Sequence, residues 1–133
     1  MQEKKTALIA GASGIVGRGI AERLVGDGWR VLCASRSGGG HLPGTEGVAV
    51  DLLDAEACAR AVAPHAGITH VFHAAFQPAP SRAAEVAPNL AMLRNVVEAV
   101  QQASPALRKV VLVTGAKFYG IQWGASSTPC RES

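Results

Sequence analysis

The chain has 133 residues, of which 48% are apolar and 17% charged, and its mean hydropathy is +0.18. This length suits one domain and is too short for a cofactor domain joined to a separate substrate domain. The composition excludes a disordered chain. The net charge of +3 comes from scattered basic residues and aromatic residues make up only 5%, so we expect no nucleic-acid partner.

Membrane and metal sites are not expected either. The apolar runs are short, and Met1–Lys5 leads into the first of them without a cleavable leader, which predicts a cytoplasmic protein with no membrane partner. Cys33, Cys58 and Cys130 are widely spaced, so we expect reduced thiols. His70 and His73 would point to opposite faces of a strand, and no metal site is predicted.

Strand and helix patterns alternate along the chain. In chain order, the predicted elements are a strand at Thr6–Ala10, a helix from Ile15 to about Gly26, strands at Arg30–Ser35 and Val48–Asp51, a helix capped by Asp54 that runs to about Ala63, a strand at Thr69–His73, a helix from Asn89 to about Ala103, and a strand at Lys109–Thr114. Gln77–Pro88 is predicted as an irregular connection. Apolar strands that alternate with helices predict a doubly wound α/β fold with a parallel sheet in the order 3-2-1-4-5.

A glycine-rich turn, GASGIVG at Gly11–Gly17, joins the first strand to the first helix. Gly11 permits the tight turn, Gly14 lets a pyrophosphate approach the backbone, and Gly17 lets the helix pack closely on the sheet. The absence of a following Gly-Lys-Ser/Thr excludes a P-loop. The turn predicts dinucleotide binding, with a purely structural turn as the alternative, and the residues expected to contribute are Gly11, Ser13, Gly14, Ile15, Val16 and Gly17.

The second strand ends in Ser35-Arg36, where an NAD-binding domain carries a carboxylate for the ribose hydroxyls. A guanidinium suits a 2′-phosphate, because it can donate two charge-assisted hydrogen bonds. Ser35 and Arg36 therefore favour NADP(H) over NAD(H). The alternative is a solvated loop arginine.

From Thr6 to Gly120 the chain resembles the extended short-chain dehydrogenase/reductase family, which is NAD-dependent epimerase/dehydratase-like and has a Rossmann-type fold. The resemblance rests on the glycine turn, Asp51-Leu52, His73-Ala74-Ala75, the helix that begins at Asn89, and Tyr119-Gly120. The segment Thr114–Gly120, TGAKFYG, is most similar to the progesterone 5β-reductase/iridoid synthase-like branch of NADPH-dependent enone reductases.

The resemblance implies further cofactor contacts. They fall on Asp51, Leu52, Ala74, Ala75, Phe76 and Thr114. Asp51 and Leu52 would contact the adenine, and Ala74, Ala75 and Phe76 would line the ribose and the approach to the nicotinamide. Asn89 would brace the end of the fourth strand from its helix. Asp51 could instead cap a turn, and the two alanines could simply pack.

The catalytic pattern departs from that family. Gly115 stands where the family places a catalytic serine, and there is no Tyr-x-x-x-Lys pair. Lys117 is the catalytic candidate that would stabilise a developing enolate. Tyr119 is the second candidate, although it matches the structural tyrosine of the Tyr-Gly motif better.

These patterns predict an NADP-binding domain at 1–120 and an irregular tail at 121–133. Because the family it resembles is longer, the resemblance implies that this tail begins a missing substrate-binding portion. The expected function is an NADPH-dependent oxidoreductase, or its cofactor-binding half, that transfers hydride to an activated carbonyl or enone. The alternatives are a non-catalytic NADP-binding module or redox sensor, and the remnant of a nucleotide-sugar epimerase or dehydratase. Besides a small-molecule substrate, we expect self-association or a partner segment at the open apolar edge Val110–Val113, and weak catalysis by this chain alone.

Overall fold

The architecture is that of a computed structural model, which describes residues 3–38 and 42–115. Its elements are β1 (Thr6–Ala10), α1 (Ile15–Gly26), β2 (Arg30–Ser35), β3 (Thr45–Ala49), α2 (Ala55–Val62), β4 (His70–His73), α3 (Arg82–Ala103) and β5 (Lys109–Leu112). The strands form one parallel sheet in the order β3-β2-β1-β4-β5. The predicted doubly wound α/β fold and its strand order are thereby confirmed.

Helices cover both faces of the sheet. On one face, Leu8 and Val71 belong to the same buried cluster as Val96 of α3 and Cys58 of α2. On the other face, alternate residues of β1 and β2 pack with α1 around Ile9. Every residue of β1 is buried, because it is the central strand and has a helix layer on each side. This double cover explains why the strand sequences are continuously apolar rather than alternating.

Several predicted boundaries differ from the structure. β4 begins at His70 rather than Thr69, β5 ends at Leu112 rather than Thr114, and two other differences are larger. The third strand is Thr45–Ala49 and not Val48–Asp51, because its pairing with β2 starts opposite Val31. Its first three residues are Thr45, which is half-buried, and Glu46 and Gly47, which are exposed. The last helix begins at Arg82 and not at Asn89. Ser81 caps it by accepting a hydrogen bond from the N–H of Ala84 at 3.1 Å, and Pro88 lies inside it. A proline inside a helix loses one backbone hydrogen bond and crowds the carbonyl four residues earlier, but its φ is helical. The cap at Ser81 and the high helix propensity of the alanine-rich segment favour a helix that continues through it.

Other sequence predictions match the structure. Asp54 caps α2, with its Oδ1 accepting a hydrogen bond from the N–H of Ala57 at 3.0 Å. Cys33 and Cys58 are buried free thiols, and burial raises the pKa of each, whereas Cys130 lies outside the described residues. Within residues 3–38 and 42–115, no helix is both long enough and apolar enough to cross a membrane. The cytoplasmic location stays a prediction.

Candidate functional site

A cavity of about 750 Å³ opens at the carboxyl ends of the strands. It lies between β1 and β4, where the connection after β1 runs to β2 on one side and the connection after β4 runs to β5 on the other. Such a point leaves a crevice between the loops, and it is where doubly wound folds bind ligands. The position of the cavity therefore follows from the strand order.

Most of the predicted cofactor residues line this cavity. Ten of the fourteen do so: Gly11, Ser13, Gly14, Ser35, Arg36, Asp51, Leu52, Ala74, Ala75 and Phe76. Ile15 and Val16 are exposed in the first turn of α1. Gly17, in the same turn, is buried. Thr114 is exposed beyond the end of β5 and is not among the lining residues.

Two glycines of the turn are required by the fold itself. Gly11 has a φ of +84°, and a Cβ built there would lie 2.5 Å from the backbone nitrogen of Ala75 and 2.6 Å from the carbonyl carbon of Ala74. A Cβ at Gly17 would lie 2.7 Å from the carbonyl carbon of Gly11. These distances are too short for any side chain. Gly11 therefore allows the backbone after β1 to contact the backbone after β4, and Gly17 allows α1 to pack against the turn.

Gly14 is different, because the fold does not require a glycine there. A Cβ at Gly14 would meet only the carbonyl oxygen of Gly11, at an ordinary contact distance of 3.5 Å, and its φ of −79° suits any residue. Gly14 is also the N-cap of α1, and that helix has no side-chain cap and no acidic residue in its first turn. The first N–H groups of α1 and the positive end of its dipole are therefore available to an anion in the cavity.

Arg36 sits in a short turn that closes the end of β2. The N–H of Gly38 donates to both the carbonyl oxygen and the Oγ of Ser35, at 3.3 Å and 3.1 Å. The N–H of Val50 donates to the same Ser35 carbonyl at 2.9 Å, which ties this turn to the segment after β3. Arg36 is exposed and lines the cavity, and it pairs with no carboxylate among the described residues.

The segment after β3 forms the next wall of the cavity. The Oδ1 of Asp51 accepts a hydrogen bond from the N–H of Leu53 at 3.0 Å, so the carboxylate does cap a turn. The carbonyl oxygen of Leu52 accepts a hydrogen bond from the Nδ2 of Asn95 in α3, at 2.9 Å. Asp51 therefore has a structural role, and its predicted contact with adenine stays a prediction.

Asn89 fixes the segment that follows β4. Its Oδ1 accepts a hydrogen bond from the N–H of Gln77, and its Nδ2 donates to the carbonyl oxygens of Gln77 and Glu85, all at 2.8 Å. The bracing predicted for Asn89 is thus present, although it acts on the loop beyond β4 rather than on the strand. Phe76, in the same loop, lines the cavity and is 64% exposed.

Six lining residues were not predicted from the sequence: Ala34, Val50, Leu53, Gln77, Pro78 and Met92. Ala34, Val50 and Leu53 adjoin predicted residues at the ends of β2 and β3, so a wider window around each strand end would have included them. Met92 comes from the middle of α3. No local pattern marks it, because its place at the cavity depends on how α3 packs.

His73, at the carboxyl end of β4, is a buried titratable group next to the cavity wall. Its side chain is 3% exposed, and its Nδ1 has no hydrogen-bond partner among the described residues. Burial lowers the pKa of His73, so the neutral imidazole is favoured. The two catalytic candidates, Lys117 and Tyr119, lie outside the described residues.

Residues 7–132 match the model of the NAD dependent epimerase/dehydratase family. The chain is 34% identical over 125 residues to a 3-oxo-Delta(4,5)-steroid 5-beta-reductase of Arabidopsis thaliana, covering 87% of this chain and 32% of that protein. It is 31% identical over 132 residues to an (S)-8-oxocitronellyl enol synthase of Antirrhinum majus, covering 91% of this chain and 32% of that protein. The chain thus spans about a third of the length of these curated relatives.

The fold is also shared with solved structures. A mutant of uronate dehydrogenase from Agrobacterium tumefaciens, complexed with NAD, superposes with a TM-score of 0.62 at 26% identity, covering 84% of this chain and 41% of that one. The family match spans nearly the whole sequence and includes every element that forms the cavity. The chain therefore belongs to the NAD dependent epimerase/dehydratase family.

Proposed function

We propose that this chain binds NADPH in the cavity as the cofactor-binding portion of an oxidoreductase. The observation that carries the proposal is Gly14. The fold tolerates a side chain at this position, yet a glycine stands there, at an uncapped helix N-terminus that lines the cavity. A glycine is needed at such a position when a ligand must approach the backbone, and a pyrophosphate is the ligand that suits a helix N-terminus.

The order of groups along the cavity supports an extended dinucleotide. The pyrophosphate would lie on the turn between β1 and α1, and the adenosine would lie toward Arg36 and Asp51, at the ends of β2 and β3. The nicotinamide would lie toward Ala74 and Phe76, beyond β4. A solved neighbour is complexed with NAD, which supports the same class of ligand for this chain.

Arg36 supports a preference for NADPH over NADH. Arg36 lines the cavity, its backbone belongs to the turn that Ser35 and Gly38 form, and its side chain pairs with no carboxylate of the described residues. A 2′-phosphate on the adenosine ribose would give this guanidinium a bidentate partner. A ribose with two free hydroxyls would leave it unpaired.

The reaction we propose is the reduction of an activated carbonyl or enone. The bound cofactor would supply the hydride. One relative is named as a reductase of 3-oxo-Delta(4,5)-steroids and another as an (S)-8-oxocitronellyl enol synthase, which supports an oxo substrate. Lys117, as a cation near the substrate oxygen, would stabilise the charge that develops there. Tyr119 would be a structural residue or a proton donor.

A second candidate is a non-catalytic NADP-binding module. Gly115, just after β5, carries no hydroxyl at the place where the resemblance expects a catalytic serine. A chain that lacks this serine could keep its affinity for the nucleotide without turning over a substrate. Nucleotide binding is common to both candidates, so turnover separates them.

The test is an NADPH oxidation assay on the full chain with enones, simple aldehydes and ketones, and nucleotide sugars. We expect the parent to oxidise NADPH slowly in the presence of enones. Gly14→Val should abolish this oxidation, since the valine side chain blocks nucleotide binding, and Lys117→Ala should slow it. Arg94→Ala, on the exposed face of α3, is the matched control and should leave the rate unchanged. NADPH binding without turnover of any substrate would favour the module, and turnover of nucleotide sugars alone would favour an epimerase or dehydratase remnant.

A further inference from the structure

Basic residues collect at the amino ends of the strands, which form the edge of the sheet opposite the cavity. Lys5 directly precedes β1, Arg30 opens β2, and Arg108 and Lys109 stand at the start of β5. Because all strands are parallel, their amino ends lie at one edge, so these side chains come together although they are far apart in the sequence. With Lys4 they form the surface that we call the basic edge.

The basic edge has an excess of positive charge equal to the net charge of the sequence. Its five basic side chains are accompanied by two carboxylates, Glu3 and Glu46, which leaves an excess of three positive charges. The sequence has 13 basic and 10 acidic residues, so the other eight of each sign cancel. Such local accumulation raises the surface potential and attracts an oppositely charged partner.

Some of these cations already bind carboxylates, which shows the chemistry that the surface can recognise. Arg30 donates to both oxygens of Glu46, at 2.8 Å and 3.1 Å, and Arg108 pairs with Glu3. Lys4, Lys5 and Lys109 form no ion pair with a carboxylate of the described residues. Exposed pairs of this kind contribute only about 0–1 kcal/mol each to stability, so folding gives little reason for the cluster.

An aromatic group stands at the centre of the basic edge. Trp29 is partly buried, and the Nζ of Lys5 lies 5.1 Å from its ring centroid. The rings of His70 and Trp29 pack in a T-shaped arrangement, with their centroids 4.7 Å apart. A cavity of about 260 Å³ lies beside this group, lined by Glu3, Lys5, Thr69 and Arg108. Tryptophan and arginine are the residues most enriched where protein interfaces gain their binding energy.

We propose that the basic edge is a docking surface for an acidic segment of a partner protein. Carboxylate side chains of that segment would engage Lys5 and Lys109 and would compete with Glu3 for Arg108. An apolar side chain between them would contact the part of Trp29 that stays exposed beside Lys5. Recognition of single-stranded nucleic acid is not favoured, because Trp29 is partly buried, packs against His70 and carries Lys5 over its ring, which leaves little ring face for base stacking.

The test is a fluorescence-anisotropy titration of the full chain with a labelled oligo-glutamate peptide of about ten residues that contains one leucine. We expect saturable binding at about 20 mM salt that weakens steeply at about 200 mM. In the double variant Lys5→Glu/Lys109→Glu, affinity should fall by about tenfold or more, since two attractions become repulsions. An NADPH titration and circular dichroism on the same variant should be unchanged, because the cavity is at the opposite edge.

The matched control is Arg82→Glu/Arg94→Glu, which makes the same change in net charge on exposed positions of α3 and should leave peptide affinity within about twofold of the parent. If the first variant does not fold, Lys5→Gln/Lys109→Gln gives the same comparison without repulsion. The proposal is overturned if the peptide does not bind at low salt, if both charge-reversal variants weaken it equally, or if an oligouridylate of equal charge binds more tightly.

Discussion

Asn89 holds both backbone groups of Gln77, accepting a hydrogen bond from its N–H and donating one to its carbonyl oxygen, each at 2.8 Å. The two residues are joined across the turn that links β4 to α3. Asn89 directly follows Pro88, and its Nδ2 also bonds to the carbonyl of Glu85 one turn back. One side chain thus positions Phe76, Gln77 and Pro78, which together form one wall of the cavity.

Removing this amide should cost stability. In Asn89→Ala the N–H and carbonyl of Gln77 lose their partner, and we expect the free energy of unfolding to fall by about 1–3 kcal/mol. Asn89→Asp should be no more stable than Asn89→Ala. Its carboxylate can accept the N–H of Gln77 but repels the carbonyl oxygens of Gln77 and Glu85. Urea denaturation measures both, with Gln101→Ala, an exposed position of the same helix, as the control. Full stability of Asn89→Ala would show that the loop does not need this contact.

Gly17 and Gly14 of the turn should respond differently to alanine. Gly17→Ala should destabilise the protein, because its Cβ would overlap the backbone of Gly11. Gly14→Ala should leave the melting temperature nearly unchanged while weakening NADPH affinity, since its Cβ fits the fold but stands where the phosphates approach. Thermal melts and nucleotide titrations of the two variants together test this. Retained affinity in a folded Gly14→Ala protein would make the turn purely structural.

Two histidines should make stability depend on pH. Burial lowers the pKa of His73, and burial together with Lys5, Arg108 and Lys109 lowers that of His70. The unfolded chain therefore takes up protons first, so stability is full above the unfolded pKa of about 6.5 and falls as the pH drops below it.

We expect the free energy of unfolding to decrease from about pH 7 to about pH 5, and to decrease less in His73→Leu, which removes one of the buried imidazoles. Urea midpoints at several pH values measure the slope. Equal slopes in the parent and His73→Leu would show that protonation of His73 does not oppose folding.

The β5 edge should govern self-association. In the part of the chain that the structure describes, β5 is the last strand of the sheet, and Val110 and Leu112 are 39% and 48% exposed on it. Open apolar strands pair with other chains, so we expect particle size to rise with concentration in light scattering. Leu112→Lys should reduce that rise, whereas Leu90→Lys, at a leucine that is 50% exposed on α3, should not. A monomer at every concentration would contradict this.

Strand order and the glycine turn were predictable from the sequence because both depend on local pattern. The alternation of apolar strands with helices, together with right-handed crossovers, leaves few topologies. The limits of β2 were predicted to the residue, since Gly28 precedes it and a polar turn follows it. β3 was misplaced because an edge strand with polar, exposed residues lacks the apolar signal. The start of α3 was missed because Pro88 resembled a helix boundary.

The site was predictable only where it uses strand ends. Arg36 directly follows β2, and Asp51 lies just beyond the end of β3. Their place at the cavity therefore follows from the topology alone. Met92 reaches the cavity from the middle of α3, and the clamp between Asn89 and Gln77 depends on the path of a loop that no motif describes. Such contacts come from tertiary packing and leave no periodic trace in the sequence.

Direct titration of the full chain with NADPH and NADH is the measurement that tests the dinucleotide site most directly. We expect NADPH to bind more tightly, and Arg36→Ala to remove most of the difference, about 1.5–3 kcal/mol for a charge-assisted hydrogen bond to the 2′-phosphate. Arg94→Ala should bind both nucleotides as the parent does. Equal affinity of the parent for the two nucleotides would contradict the role of Arg36, and failure of the parent to bind either would contradict the proposed site altogether.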